Sequence, residues 1–209
     1  MTYQEVEQAT TNVGLIVMGT VSDNISLVLL GTGPAFWPMF SASPECQDGL
    51  PNPVDRWSLR VVGGLATHLG AKAIYPFGGP PYEPFIRWAQ ASGRAFQSPV
   101  GMLVHDAVGM MVSYRGALQF DKPFAAASPF APSPCQTCAT QPCTTACPVG
   151  ALSATHNYDV DACHAYLDTE AGQDCMNNGC AARRACPVSQ LAGRTPEQSN
   201  LHMKAFHHT

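Results

Sequence analysis

Eight cysteines crowd the C-terminal third of the chain, at Cys135, Cys138, Cys143, Cys147, Cys163, Cys175, Cys180 and Cys186, and two of them, Cys147 and Cys186, directly precede a proline. Thiolate sulfur is a soft ligand suited to iron–sulfur clusters, zinc or copper(I), and a 4Fe–4S cube takes four such ligands arriving from different directions. The first run, Cys135-x2-Cys138-x4-Cys143-x3-Cys147-Pro148, ends in the x3-Cys-Pro closure of the bacterial two-cluster arrangement, whose last sulfur crosses to the other cluster. Its middle gap carries two extra residues relative to that arrangement. The returning half is looser, Cys163 followed by Cys175-x4-Cys180-x5-Cys186-Pro187. Proline after a ligand fixes φ and removes an N–H, so the chain turns away from the cluster. The count and the paired closures predict two 4Fe–4S clusters.

Disulfides and zinc are the competing uses of these thiols. The N-terminal stretch MTYQEVEQATTNVGLIV has no basic n-region, adjacent apolar h-region or small-residue cleavage site, which predicts a cytoplasmic protein, where disulfides are rare. A zinc-stapled scaffold with no redox role remains the third function class, although only Cys135 and Cys138 have the Cys-x2-Cys spacing of four-cysteine zinc sites. Cys46, isolated in SPECQDG, is expected to be an ordinary surface-loop thiol.

Composition bounds the partners. The chain has 209 residues, 45% hydrophobic and 12% charged, with a formal net charge of -4. That suits one ordinary domain plus a small module. No uninterrupted apolar stretch approaches the length of a membrane span, and the adjacent basic pair Arg183/Arg184 is no basic stripe, so neither a membrane nor a nucleic-acid partner is predicted.

The elements that must position the cysteines follow from pattern. Residues 123–134, rich in proline and small residues with no apolar period, read as an extended connector between a first domain, 1–122, and a cysteine module with its tail, 135–209. In the first domain, Ile25 to Leu30, Ala73 to Tyr75, Met102 to His105 and Met110 to Phe120 are predicted strands. Asn52 as N-cap, Pro53 at N1 and Val54, Trp57, Val61, Leu65 and Leu69 at helical spacing predict a helix that stops at Gly70. A shorter helix over Pro84 to Ser92 is predicted to bury Phe85, Trp88 and Ala89. Because the last two strands follow each other directly, an α+β fold is favoured over a doubly wound sheet. Gly31-Thr32-Gly33 is no dinucleotide site, since Phe36 stands where the third glycine would permit close helix–strand packing. Gly78-Gly79-Pro80-Pro81 reads as a turn. The tail LHMKAFHHT, whose His202, His207 and His208 lack the spacing for one helical face, reads as a solvated, frayed terminus.

CPVGAL, YDVDACHAYLDTEAG and GCAARRACPVS resemble the double-cluster, ferredoxin-type module of epoxyqueuosine reductase, with Ala162-Cys163-His164-Ala165-Tyr166-Leu167 the most specific match. The resemblance implies one cluster on Cys135, Cys138, Cys143 and Cys186 and another on Cys147, Cys163, Cys175 and Cys180. The closing loop Cys175-x4-Cys180-x5-Cys186 is longer than in that family. SLVLLGTGPAFW, NPVDRW and LVHDAVGMMVSYRGALQF, spread over most of residues 25 to 120, resemble segments of the cobalamin-processing (cblC-type) proteins. That resemblance implies a nitroreductase-like α+β core and candidate corrin-pocket positions at His105, Gly109, Arg115 and Gly116, with Met111 in place of that family's tryptophan. An equally available reading makes His105 a strand-end histidine and pairs Arg115 with Asp121. YPFGGPPYEPF lacks the aspartate expected of an epoxyqueuosine reductase, so that reaction is not predicted.

The resulting expectation is a redox protein whose two 4Fe–4S clusters carry electrons to a cofactor or a partner protein at the N-terminal domain. The alternative is a cobalamin- or flavin-dependent reductase fed by the same clusters.

Overall fold

The computed structural model describes residues 2–123 and 132–207, so most of the expected connector, 124–131, and His208 lie outside the described residues. Contacts divide the chain into two units, Met1–Ala95 with Ser113–Ala131, and Phe96–Val112 with Pro132–Thr209. One boundary, Ala131/Pro132, falls within the proline-rich segment, but residues 96–112, expected in the first domain, group with the cysteine region.

In chain order the first unit contains α1 (Tyr3–Asn12), β1 (Leu15–Ser22), β2 (Ser26–Thr32), α2 (Phe36–Ser41), α3 (Pro44–Gln47), α4 (Pro53–Leu69), β3 (Lys72–Ile74) and α5 (Phe85–Ala91). Then come β4 (Ala95–Gln97) and β5 (Leu103–His105), which pair as a ribbon, and β6 (Tyr114–Phe120), which returns to the first unit. The four-stranded sheet has the order β1-β2-β6-β3 and every pairing is antiparallel. Helices and an antiparallel sheet make this a mixed α+β architecture.

All seven residues of β2 are buried, as its continuous apolar run requires of a central strand. Gly31 is needed there because a Cβ would meet the Met18 sulfur and the Ser113 carbonyl, where the β2–β6 register shifts. Helix α4 lies on β3 and β6 and buries Trp57, Ser58, Val62, Leu65, Ala66 and Leu69. The buried valine is therefore Val62 and not Val61. Trp57 meets Phe36 edge-on at 5.1 Å, and Phe36 stacks on Phe40 at 5.3 Å, so the residue that rules out a dinucleotide loop is a core anchor. Burial of each such ring is worth about 1.5–3 kcal/mol.

The limits of α4 match its sequence signals, but Asn52 does not cap with its side chain. It is left-handed, with φ +53°, and Pro53 starts the helix behind it. Helix α5 buries Phe85 and Ala89, with Trp88 half-buried. The strand expected from Met110 begins only at Tyr114; Met110 and Met111 are loop residues. Cys46 is half-buried within α3, not in a loop. Helices α1, α2 and α3 and strands β1 and β4 went unpredicted. Helix α1 opens on a capping box, with the Glu5 carboxylate accepting from the Thr2 N–H at 2.6 Å, and β1 pairs along β2.

The second unit adds α6 (Val160–Leu167), α7 (Gln173–Asn178), α8 (Ala181–Ala185) and α9 (Pro196–Phe206), with 3-10 turns at Pro134–Gln136, Pro142–Thr144 and Pro187–Ala192. Asp159 caps α6 by accepting from the Ala162 N–H at 2.9 Å, and Thr195 caps α9 by accepting from the Gln198 N–H at 3.2 Å. Helix α9 packs against α7, so the expected frayed tail is an ordered helix up to Phe206. His207 is buried: its Nε2 meets Asp168 Oδ1 at 2.9 Å and its Nδ1 meets His164 Nδ1 at 2.5 Å. Nε2–H donating to Asp168 and His164 donating to His207 satisfies both contacts.

Candidate metal centres

The second unit sorts the eight cysteines into two groups of four. Cys135, Cys138, Cys143 and Cys186 line one cavity of about 320 Å³, and Cys147, Cys163, Cys175 and Cys180 line another of about 20 Å³.

The first group stands on irregular backbone. Pro134 and Pro142 each open a 3-10 turn whose second residue is a cysteine, Cys135 or Cys143, because proline presets φ and needs no hydrogen-bond partner for its nitrogen. Cys186 arrives from the end of α8, and Pro187 starts the next turn. Behind these sulfurs lie Val100, Val104 and Met110, contributed by residues 96–112. That segment is pinned by the Ser189 hydroxyl, which accepts the Met110 N–H at 2.9 Å, and by Arg194, which donates to the Met111 carbonyl at 3.0 Å. Gly109 has φ +57°, and a side chain there would run into the Ser189 backbone.

The second group stands on helices. Cys163 is carried by α6, Cys175 by α7, Cys180 directly precedes α8, and Cys147 closes the preceding loop. Leu167, Met176 and Met203 form its apolar backing, Met203 coming from α9. Gly172 permits the tight entry to α7, since a Cβ there would fall on the Tyr166 carbonyl.

Electrostatics differ between the groups. Burial raises the thiol pKa of Cys135, Cys143, Cys163, Cys175 and Cys180 above the ordinary value. In the first group a hydroxyl offsets this, Ser133 donating to Cys135. In the second, the Tyr158 phenol donates to Cys163, the Ala181 N–H to Cys175, and the Ala182 and Arg183 N–H groups to Cys180. The guanidinium of Arg183 also interacts with Cys180 and Tyr158, and burial lowers its pKa. Arg184, one residue on, is instead tied to Asp174 and to the Gly179 carbonyl. The sequence flagged Arg183 only as half of a basic pair; in the structure its Nε is buried without a hydrogen-bond partner among the described residues.

Among the described residues no three His, Cys, Asp or Glu side chains close on a single-ion position. The donor sets nonetheless match what a 4Fe–4S cube takes, four cysteines per site approaching from separate elements. No family model, curated protein or solved structure matches the chain.

The remaining candidate positions fall in different units. His105, fully buried at the end of β5, accepts the Ala107 N–H on Nδ1 at 3.1 Å, and it exchanges backbone hydrogen bonds with Gly109 at 2.8 and 2.9 Å; both belong to the second unit. Arg115 and Gly116 belong to the first. Arg115 pairs with Asp55 at 3.2 Å, not with Asp121, and also donates to the Tyr114 carbonyl. Gly116 sits where a Cβ would press on Val62 and the Ile74 carbonyl.

Proposed function

We propose that the chain is an iron–sulfur redox protein that binds two 4Fe–4S clusters, one on Cys135, Cys138, Cys143 and Cys186 and one on Cys147, Cys163, Cys175 and Cys180. The observation that carries this reading is the sorting of eight cysteines, interleaved in sequence, into two separate four-cysteine cavities. In particular, Cys147 and Cys186, the two Cys-Pro residues, each line the cavity opposite to that of their nearest cysteine neighbours in sequence. That exchange is the crossing that defines two-cluster modules.

A bound cluster supplies one-electron oxidation and reduction at a potential set by its surroundings. The chain's own contribution is to hold the thiolates, keep water from the sulfurs with Val104, Met110, Leu167 and Met203, and donate hydrogen bonds to them from Tyr158, Ser133 and the start of α8. The nitroreductase-like, cblC-like reading of the N-terminal unit rests on the order of the resembling patches, which fall on β2, the start of α4 and the stretch from β5 to β6. The proposed function needs no role for His105, Gly109, Arg115 or Gly116 toward a corrin or flavin.

Anaerobically prepared protein tests this reading by iron, sulfide and zinc analysis with an absorption spectrum. Close to eight irons and eight sulfides per chain, with broad absorption near ~400 nm, is expected of two such clusters. Zinc in place of iron, without sulfide, would overturn it.

A further inference from the structure

Resting on the two-cluster reading, we infer that Ala182 is a positioning residue that sets how far apart the two clusters stand, and so how readily an electron crosses between them. Its side chain belongs to both sites. Ala182, fully buried, lines the helical cavity beside Cys180 and Ala181, and it packs in one apolar cluster with Cys143 and Cys186 of the loop site. Leu152, 2% exposed, has the same double membership, and the half-buried Tyr158 lines the helical cavity while packing on that cluster. At Ala182 the partition between the two cysteine quartets is therefore a single small side chain.

Helix α8 is what puts it there. Cys180 directly precedes the helix and Cys186 directly follows it, so its two ends carry a ligand of each site. The six steps from Cys180 to Cys186 span about 9 Å at the helical rise. Alanine is the smallest side chain that still favours a helix, which lets α8 lie close against both sites and keep its form. A larger side chain in this packed wall has no spare volume to enter and must move one site away from the other. The electron step itself makes and breaks no bond: one four-iron core is oxidised by one electron as the other is reduced, the electron having first come from an external low-potential one-electron donor. Coupling between two such centres falls steeply with their separation.

The test is low-temperature electron paramagnetic resonance of the anaerobic full-length protein, driven with photoreduced deazaflavin until both sites are reduced. Two paramagnetic clusters this close split each other's signals, and Cys138→Ser and Cys163→Ser, each keeping one cluster, supply the uncoupled reference spectra. The unsubstituted protein is expected to show a splitting absent from both references. Ala182→Leu with both clusters loaded should narrow that splitting, and Ala182→Ser should keep it. Ala185→Leu, on the same helix but lining neither cavity, should leave it unchanged, which a general disturbance of α8 would not predict. No splitting in the doubly reduced unsubstituted protein, or an unchanged splitting in loaded Ala182→Leu, would overturn the inference and leave the two-cluster reading standing. If Ala182→Leu does not hold both clusters, the pattern of loss decides: loss of both, with Ala185→Leu still loaded, supports the shared wall, and loss of one alone overturns it. Absence of iron and sulfide from the unsubstituted protein would remove the two-cluster reading itself.

Discussion

The two cysteine sites solve one problem in opposite ways. The site at Cys135, Cys138, Cys143 and Cys186 is built from proline-started turns around a cavity of about 320 Å³, whereas the site at Cys147, Cys163, Cys175 and Cys180 is enclosed by four short helices around about 20 Å³. Turns let three ligands of the first site come from nine consecutive residues. Helices cannot bring neighbours in sequence round a small target, so the second site recruits ligands across 34 positions, from Cys147 to Cys180, and needs packing to hold them. The difference teaches where each is fragile: the first through its backbone turns, the second through its helix contacts.

The largest expected effect comes from the ligands. Cys163→Ser should remove the helical cluster alone, and Cys138→Ser the loop cluster alone, each lowering iron from about eight to about four per chain. Cys186→Ser should behave like Cys138→Ser and Cys147→Ser like Cys163→Ser, despite their order in sequence. Iron analysis with low-temperature electron paramagnetic resonance checks this. If Cys147→Ser and Cys186→Ser disturb the same cluster, the crossing is wrong.

Glycines come next, one for each site. Gly109→Ala must hold alanine at φ +57° and press on Ser189, which costs at least about 1–2 kcal/mol and should loosen the loop site first. Gly172→Ala, at the entry to α7, should loosen the helical site first. Cluster retention on mild heating, followed by absorption, separates the two, and loss of the same cluster in both would erase the contrast.

Legibility followed the same divide. The partition of the cysteines, implied by the resemblance to a double-cluster module, agrees with the two cavities, and the strand at β2 and the limits of α4 were readable because an apolar run and Pro53 with Gly70 act locally. Residues 96–112, expected in the first domain, group with the cysteine region by their contacts, and nothing local marks Gly109 as the neighbour of Ser189, 80 positions away. His207, expected in a solvated terminus, is buried for the same kind of reason: its hydrogen bonds reach back to His164 and Asp168. Helix α1 is a different kind of miss, since Thr2-x-x-Glu5 is a readable capping box.

That missed contact yields a smaller prediction. His207→Ala removes two side-chain hydrogen bonds at the end of α9 and should cost about 1–3 kcal/mol, seen as a lower thermal midpoint and earlier loss of the helical cluster, with the loop cluster little affected.

The smallest effect serves as a control outside both sites. The Arg60 guanidinium, gripping both oxygens of Glu45 at 2.5 and 2.8 Å, lowers that carboxyl to about 2 from an ordinary 4.5. A depressed folded-state pKa means the pair's stabilisation is present above pH 4.5 and is lost as pH falls toward about 2. Glu45→Gln should therefore cost up to about 1 kcal/mol at neutral pH, and the gap to the unsubstituted protein should narrow on acidification. Circular dichroism melts across that range check it, and iron content at neutral pH should be unchanged.

The central claim, two four-iron clusters on crossed cysteine quartets, is tested most directly by native mass spectrometry of the anaerobically purified chain. The account predicts a mass increased by two four-iron, four-sulfide units, falling to one such unit in either Cys147→Ser or Cys186→Ser. An increment of two zinc ions, or a chain carrying no metal with its cysteines paired as disulfides, would contradict it.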